Sequence, residues 1–485
     1  MEYGYSYVKK SFGNNMPVPV GKRAPFSWPT TSINANGEKT ILFFDNMKVD
    51  APYVYLRLTI AIDIREDVIL EVSIPDTESI LGMIDIRYGV VFQPFELKIP
   101  KDECQKVMNQ GIAIRMIKGT SNIYFFNDTS SHFSMNQKLN CHLMFANCDI
   151  GNQKEMIKTL CSRSSIQLFG WMEGCVMDGI YDLKSMLGGQ QVVKCINDHY
   201  KLFLDHKERL SYENPRSQPI LEKMYGIEGM LPFAILGKTD SRHPKIDWFL
   251  EELKQFINNE GMVLDEEMIS AEGSYTIAYP LAVISVIKND IAIAEMAVQQ
   301  VMNRMAYLRD EGSIYLRYYM NGDRTFKNWG RAYTWYTLGQ IQTLMALGTY
   351  VDHPLIQAKT QQIKKDFVEV IHILKRLISN DGMWYCFVDD ASTLVDTSAT
   401  AGIAAAMAKG YYAGLLEVEE LDIAKKAAKA LEGYLTVDGW LAGVSQSNKN
   451  GEYLQRSGYR VISQMANGLY GQLVGTLHRI EMEES

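Results

Sequence analysis

The apolar residues of this chain change period once, and that change limits what it can fold into. Between about residue 40 and residue 146 they alternate, as in YVYLRLTIAIDI (53–64), VILEVSIP (68–75), IDIRYGVVFQPFELKIP (84–100) and GIAIRMIKG (111–119). A period of two is that of a strand with one buried face; Ile, Val and Tyr dominate these runs, and Pro, Gly, Asp or Asn separates them. From about residue 155 the spacing becomes three and four, as in WMEGCVMDGIYDLKSML (171–187), HPKIDWFLEELKQFI (243–257) and IAIAEMAVQQVMNRMAYL (291–308), which is the apolar stripe of a helix. The two rules of burial predict two domains, a β-sandwich-like domain over residues 1–150 and an all-helical domain over 151–485. The first region has no cluster of reactive side chains and is expected to serve packing or self-association into a homo-oligomer.

Composition removes several classes of function. A net charge of -8 over 485 residues argues against a nucleic-acid partner. The opening MEYGYSYVKKSFGNN lacks the apolar stretch of a signal peptide, and no run is long enough to span a bilayer, so a cytoplasmic protein is expected. Seven cysteines, at 104, 141, 148, 161, 175, 195 and 386, form an odd set without a CxxC pair and read as buried thiols. Eight scattered histidines without an HExxH spacing give no support for a metal site, and no cofactor is expected.

A weaker pattern repeats inside the helical region. A turn rich in small residues, with a polar or aromatic side chain, opens an apolar helix, and a second amphipathic helix follows. The turns are GWMEG at 170, YGIEG at 225, SAEGSY at 270, NWGRAYTW at 328, VDTSATAG at 395 and QMANGLYG at 464. Marked by Glu173, Glu228, Glu272, Arg331, Asp396 and Asn467, they lie 55, 44, 59, 65 and 71 residues apart, about the length of a helical hairpin with a variable loop. Six hairpins closed on themselves make an (α/α)6 barrel, whose inner helices all begin at one rim. Their first turns, with free N–H groups, would face one cup.

Three of the turns carry a glutamate followed by glycine: Glu173, Glu228 and Glu272. Paired carboxyls in a partly dry cleft are the minimum equipment for cleaving a glycosidic bond, because one can hold a proton while the other stays charged. Trp171, Tyr225, Tyr275, Trp329, Tyr333, Trp335, Trp384 and Tyr385 crowd the same turns, and flat rings suit the apolar faces of sugars. Each feature also has a structural reading. A glutamate in a first helical turn is favoured by the helix dipole whatever its function, and an arginine fork pairs with structural carboxylates. Asp389 and Asp390 read as solvated turn residues.

These segments resemble known ones. NWGRAYTWYTLG is similar to the WGRGNGW helix start of the unsaturated glucuronyl and rhamnogalacturonyl hydrolases, glycoside hydrolase families 88 and 105. DGMWYCFVDDASTLVDTSATAGIAAAMAKGY (381–411) resembles their DGLWYQ, DD and ETSASAMFAYALAKG stretch. The likeness spans roughly residues 160–475; an N-terminal β-domain is closer to the related glucuronidases of family 154. The resemblance implies that Glu228 and Glu272 stand where the families have two essential aspartates. It makes Trp329, Arg331 and Trp335 sugar-binding residues and gives Thr397 and Ser398 the substrate carboxylate, whose charge Arg331, with Arg317, would meet; from their place in the rim turns Trp171, Glu173, Tyr225, Tyr275 and Trp384 are expected to bind substrate beside them. Arg317 is the nearest match to a family histidine that is absent. The implied activity is exo-acting release of a terminal glucuronyl unit from an oligosaccharide. With glutamates replacing both aspartates, ordinary hydrolysis of a saturated uronide stands beside the families' hydration of a C4=C5 double bond, and a polysaccharide lyase and a non-catalytic carbohydrate-binding relative remain as alternatives.

Overall fold

The computed structural model describes residues 3–45, 51–77, 79–130 and 137–485. In the N-terminal region the alternating runs become strands β1 (Tyr3–Phe12), β2 (Thr30–Ile33), β3 (Thr40–Phe44), β4 (Tyr53–Thr59), β5 (Asp67–Ser73), β6 (Ile80–Arg87), β7 (Pro94–Lys98), β8 (Ile112–Lys118), β9 (Ile123–Phe126) and β10 (His142–Ala146). Eight of them form one path in the order β6-β5-β8-β3-β1-β10-β4-β7, and β2 pairs with β9. The path folds over at β1. Residues Tyr3 to Tyr7 pair with β10 and Val8 to Phe12 with β3, with a register shift between Val8 and Lys10, as a bulge allows. The end strands then meet again: a Cβ added at Gly82 on β6 would lie 2.6 Å from Leu97 on β7.

β3 keeps the alternation its sequence suggests, buried at every second residue. β4 does not, being buried from Val54 to Thr59, because its second face is covered by the helical region. There the fully buried Arg57 reaches Asp438, Nη1 to Oδ2 2.5 Å, and also holds Glu96 at 2.7 Å. Tyr5 donates to the same Asp438 carboxylate at 3.1 Å, and Lys138 to the Asp438 carbonyl at 2.9 Å. Burial works against the charge on Asp438, but Arg57 and Lys138 outweigh it and hold the carboxyl well below the usual range.

In the helical region six helices pack each against the next and the last against the first: α1 (Trp171–Asp182), α2 (Pro232–Thr239), α3 (Tyr279–Lys288), α4 (Gly330–Leu347), α5 (Thr397–Tyr412) and α6 (Gln464–Glu484). Around them lie Gly189–Tyr200, Lys245–Leu253, Ile291–Leu308, Gln357–Arg376 and Val418–Leu431, each following the inner helix it covers. The sixth inner helix departs from that rule. Its outer partner is Gln153–Leu160, which precedes α1 in the chain and so ties the ring shut. The ring is tight where α1 meets α6: a Cβ at Gly179 would stand 2.2 Å from the Gly468 carbonyl, so only glycine fits.

The layers divide the apolar pattern. Gln357–Arg376 buries Thr360, Ile363, Asp366, Phe367, Val370, Ile371 and Leu374 along one face, with its other charges outside it, as a helix with one wet face does. α4 is buried at every residue from Gly330 to Leu344 and so is enclosed on all sides. The seven cysteines are free thiols, five of them buried. Among the described residues no helix is long and apolar enough to cross a membrane.

Candidate functional site

A cavity of about 290 Å³ opens where the starts of α1 and α2 meet the N-terminal region, close to the small end of ligand clefts, about 300 Å³. Trp171, Met172, Tyr225, Glu228, Asp265, Ser447, Asn448 and Lys449 line it from the helical side, and Arg65 and Val90 from the strand side. Larger hollows lie elsewhere on the helical region, between Tyr181 and Lys201 and around Lys409 and Arg479; neither touches the six turns singled out above.

Local structure explains how the acids arrive. Gly226, at φ 63°, turns the chain into the short 3-10 turn Ile227–Met230 that carries Glu228, and Pro232 then opens α2. Gly170, at φ 136°, ends the approach to Trp171, and a Cβ there would lie 2.9 Å from the Glu228 carbonyl. Glu272 follows the strand Met268–Ser270, whose Ser270 pairs across the ladder with Arg317 on Ser313–Tyr319. After it comes one π-helical stretch, Ser274–Ala278, before α3, a widened turn of a kind common at functional sites. The buried Arg304 donates to the carbonyls of Ser270 at 3.1 Å and Val263 at 3.2 Å, fixing the segment on both sides of Asp265.

The result is a cluster of carboxyls around one guanidinium. Burial pushes the Glu228 carboxyl up to about 8, and the charges of Glu272 and Asp265 add to it; Arg317 and Lys449 pull the other way without offsetting them. Asp265 is pushed up to about 6 by burial, then by Glu272 and Glu266, again against Arg317. At neutral pH Glu228 therefore keeps a proton that an ordinary glutamate would have lost. The Nε of Arg317 is buried without a hydrogen-bond partner.

Of the residues singled out by sequence, Trp171, Tyr225 and Glu228 line the cavity, and Glu272 and Arg317 stand beside Glu228 electrostatically. Trp335 and Tyr275 lie behind them, stacked at 6.2 Å, with the Trp335 ring 5.4 Å from Trp171. The Tyr275 hydroxyl donates to the buried Asp178 at 2.6 Å. The others are turned inward. Glu173 is fully buried, 2.7 Å from His199 and accepting the Gln167 N–H, so it ties His199 and the segment before α1 together instead of facing the cup. Trp384 is sealed and donates to the Leu374 carbonyl at 2.9 Å. Trp329 is 2% exposed beneath the Arg331 guanidinium, 4.5 Å from its ring. Thr397 donates to the Ala442 carbonyl at 2.7 Å, and Ser398 donates to Asp396, the N-cap of α5, at 2.7 Å; both hydroxyls are committed inside the fold, where no substrate carboxylate reaches them. Arg331, 3% exposed, donates to the Gln446 carbonyl at 2.5 Å. Asp390 is paired with Arg456 at 3.1 Å near the surface, and Asp389 accepts from Asn328 at 2.8 Å.

Sequence reading missed Asp265, Arg65 and Lys449. Asp265 precedes two glutamates in a short acidic stretch that looks like a solvated turn, and the other two sit in segments without a periodic signal.

Residues 275–485 match the model of Glycosyl Hydrolase Family 88. No curated protein matches the chain in sequence. Among solved structures, the fold is similar to a possible family 105 member from Salmonella enterica serovar Paratyphi A (16% identity, 68% of this chain and 93% of that one, TM-score 0.58). It is also similar to a family 88 glycosyl hydrolase from Bacteroides vulgatus (15%, 65% and 92%, 0.51) and to a polysaccharide lyase (16%, 68% and 98%, 0.53). The chain is a glycoside hydrolase. Over residues 275–485 the chain is thus similar in sequence to the family 88 glycosyl hydrolases, and it shares its fold with the possible family 105 member.

Proposed function

We propose that this chain is an exo-acting hydrolase that releases a terminal glucuronyl unit from an oligosaccharide, with Glu228 as proton donor and Glu272 as its partner carboxylate. The reading takes the closed ring as an (α/α)6 barrel over residues 151–485, fronted by a β-sandwich-like domain over 1–150. The observation that carries it is the proton held by Glu228 near pH 7 in a cavity it shares with Trp171 and Tyr225. A carboxylic acid so placed protonates the glycosidic oxygen as the bond to the leaving sugar breaks, while a carboxylate beside it takes a proton from the attacking water or attacks the sugar itself. The small volume fits one terminal unit better than a through-running chain, and the aromatic rings offer it a flat face.

The match to family 88 favours a second reading with the same acid. In it Glu228 protonates the C4=C5 double bond of an unsaturated uronyl unit and water adds to the resulting cation. One screen separates the two: purified protein is given 4-nitrophenyl glucuronide beside an unsaturated uronyl disaccharide. Release of nitrophenolate supports hydrolysis of a saturated uronide; loss of the double bond's ultraviolet absorbance supports hydration. If neither substrate is consumed, or Glu228→Gln and Glu272→Gln both keep full activity, the assignment of the acids is wrong.

A further inference from the structure

Three residues of the expected carboxylate pocket are spoken for: Thr397 and Ser398 bond inward, and Arg331 bonds a backbone carbonyl. The cavity nevertheless has a cationic corner. Lys449 lines it, and its Nζ is buried without a hydrogen-bond partner. Arg65 lines the same cavity from the strand side, held by Asp63 at 2.8 Å and by the Pro215 carbonyl at 2.8 Å. Burial, then the charge of Arg65, pushes the Lys449 ammonium down to about 8, while Asp63 and Glu228 pull upward without restoring it. A buried ammonium with a neighbouring cation and no acceptor of its own is expensive unless an anion completes it.

The corner is built, because its loop is fixed at the base. Gln446 gives its carbonyl to Arg331 and to Gln455 at 2.9 Å, and its side chain donates to the Arg87 carbonyl at 2.9 Å and to Gln93 at 3.0 Å. Three residues on, Lys449 is delivered into the cavity opposite Glu228. The arginine of the WGR turn thus holds the loop that supplies the cation.

We infer that Lys449 and Arg65 are the specificity-determining residues for a carboxylate on the bound sugar, so that the strand region completes a site the helical ring cannot close alone. The assignment rests on the reading of the ligand as a uronic acid. An ammonium and a guanidinium meeting one carboxylate supply charge-assisted bonds that a neutral sugar at the same place would leave unmade. A hexose of unchanged ring and neutral C6 would leave the Lys449 ammonium without an acceptor, so discrimination comes from the penalty as much as from the bond.

The test is calorimetric binding of free glucuronate, glucuronamide and glucose to the full chain and to Lys449→Met, Lys449→Arg and Arg65→Gln. Wild type is expected to bind glucuronate at least tenfold more tightly than glucuronamide. Lys449→Met should lose that factor with the amide's affinity unchanged, and Lys449→Arg should keep most of it. Thermal unfolding of each variant establishes that the fold is retained; removing an unpaired buried ammonium is expected to leave it intact or firmer. Equal binding of acid and amide by wild type, or full discrimination in Lys449→Met, overturns the assignment. Turnover is scored separately: a protein that binds glucuronate through Lys449 yet cleaves no uronide keeps this corner and sinks the acid pair.

Discussion

Replacing Glu228 by glutamine should stabilise the protein while cutting turnover to a small residual rate, and the stabilisation should depend on pH. The folded carboxyl titrates near 8 against an ordinary 4.5. A raised value means that the native state holds a proton the unfolded chain has released, so the wild type's stability from this group is complete below 4.5 and is lost as pH rises towards 8. At about 1.4 kcal/mol per pH unit, the loss at pH 7 is roughly 3 kcal/mol, and water reaching the half-buried side chain reduces it to about 1–3 kcal/mol. The amide carries no such term. Urea unfolding of wild type and Glu228→Gln at about pH 4 should give equal stabilities; at pH 7 to 8 the variant should be firmer by that amount, and above 8 the gap should level off. A difference that is the same at every pH, or a variant weaker than wild type at pH 8, would refute the electrostatic argument.

Other outcomes follow from the packing. Arg57→Met leaves Asp438 buried without its main partner and should lower stability by about 3–5 kcal/mol in the same urea assay; a loss under 1 kcal/mol would mean that the Arg57–Asp438 pair does not tie the strand region to the ring. Because the Asp438 carboxyl is held below its ordinary 3.8, its contribution is present above that pH and fades only as pH falls through the lower folded value. Thr397→Val and Ser398→Ala should each lower stability by about 1 kcal/mol through a lost internal hydrogen bond and leave KM for a uronide within twofold; a tenfold rise in KM would return those hydroxyls to the substrate.

Much of this architecture was legible because it is periodic. The change from alternation to three-four spacing near residue 150 separates strands from helices, and the six glycine-rich turns mark the starts of α1 to α6. Burial by layer was less so. The run 330–344 carries Arg331, Gln340 and Gln342 and looks amphipathic, yet the ring encloses it on every side, where Arg331 donates to the Gln446 carbonyl, Gln340 to Asp366 and Gln342 to Asp178. The outer partner of α6 was read as following it, whereas Gln153–Leu160 fills the place from the other end of the sequence, which only closure in space reveals. At the site, Glu228 and Glu272 were found because each sits in a repeated turn. Thr397 and Ser398 are given to the substrate by the resemblance of the DTSAT stretch alone; here Asp396 and the Ala442 carbonyl take their hydroxyls. Asp265, Arg65 and Lys449 belong to three segments far apart in the chain, and nothing local distinguishes them from solvated charges.

The most direct test of the central claim is the pH dependence of kcat/KM for a terminal uronide, which reports the free protein and hence the unliganded site. The Glu228 environment predicts a rate that falls through a limb centred near pH 8 as the donor loses its proton, with the residual rate of Glu228→Gln showing no such limb. A rate that stays level or climbs between about pH 7 and 9 would contradict it.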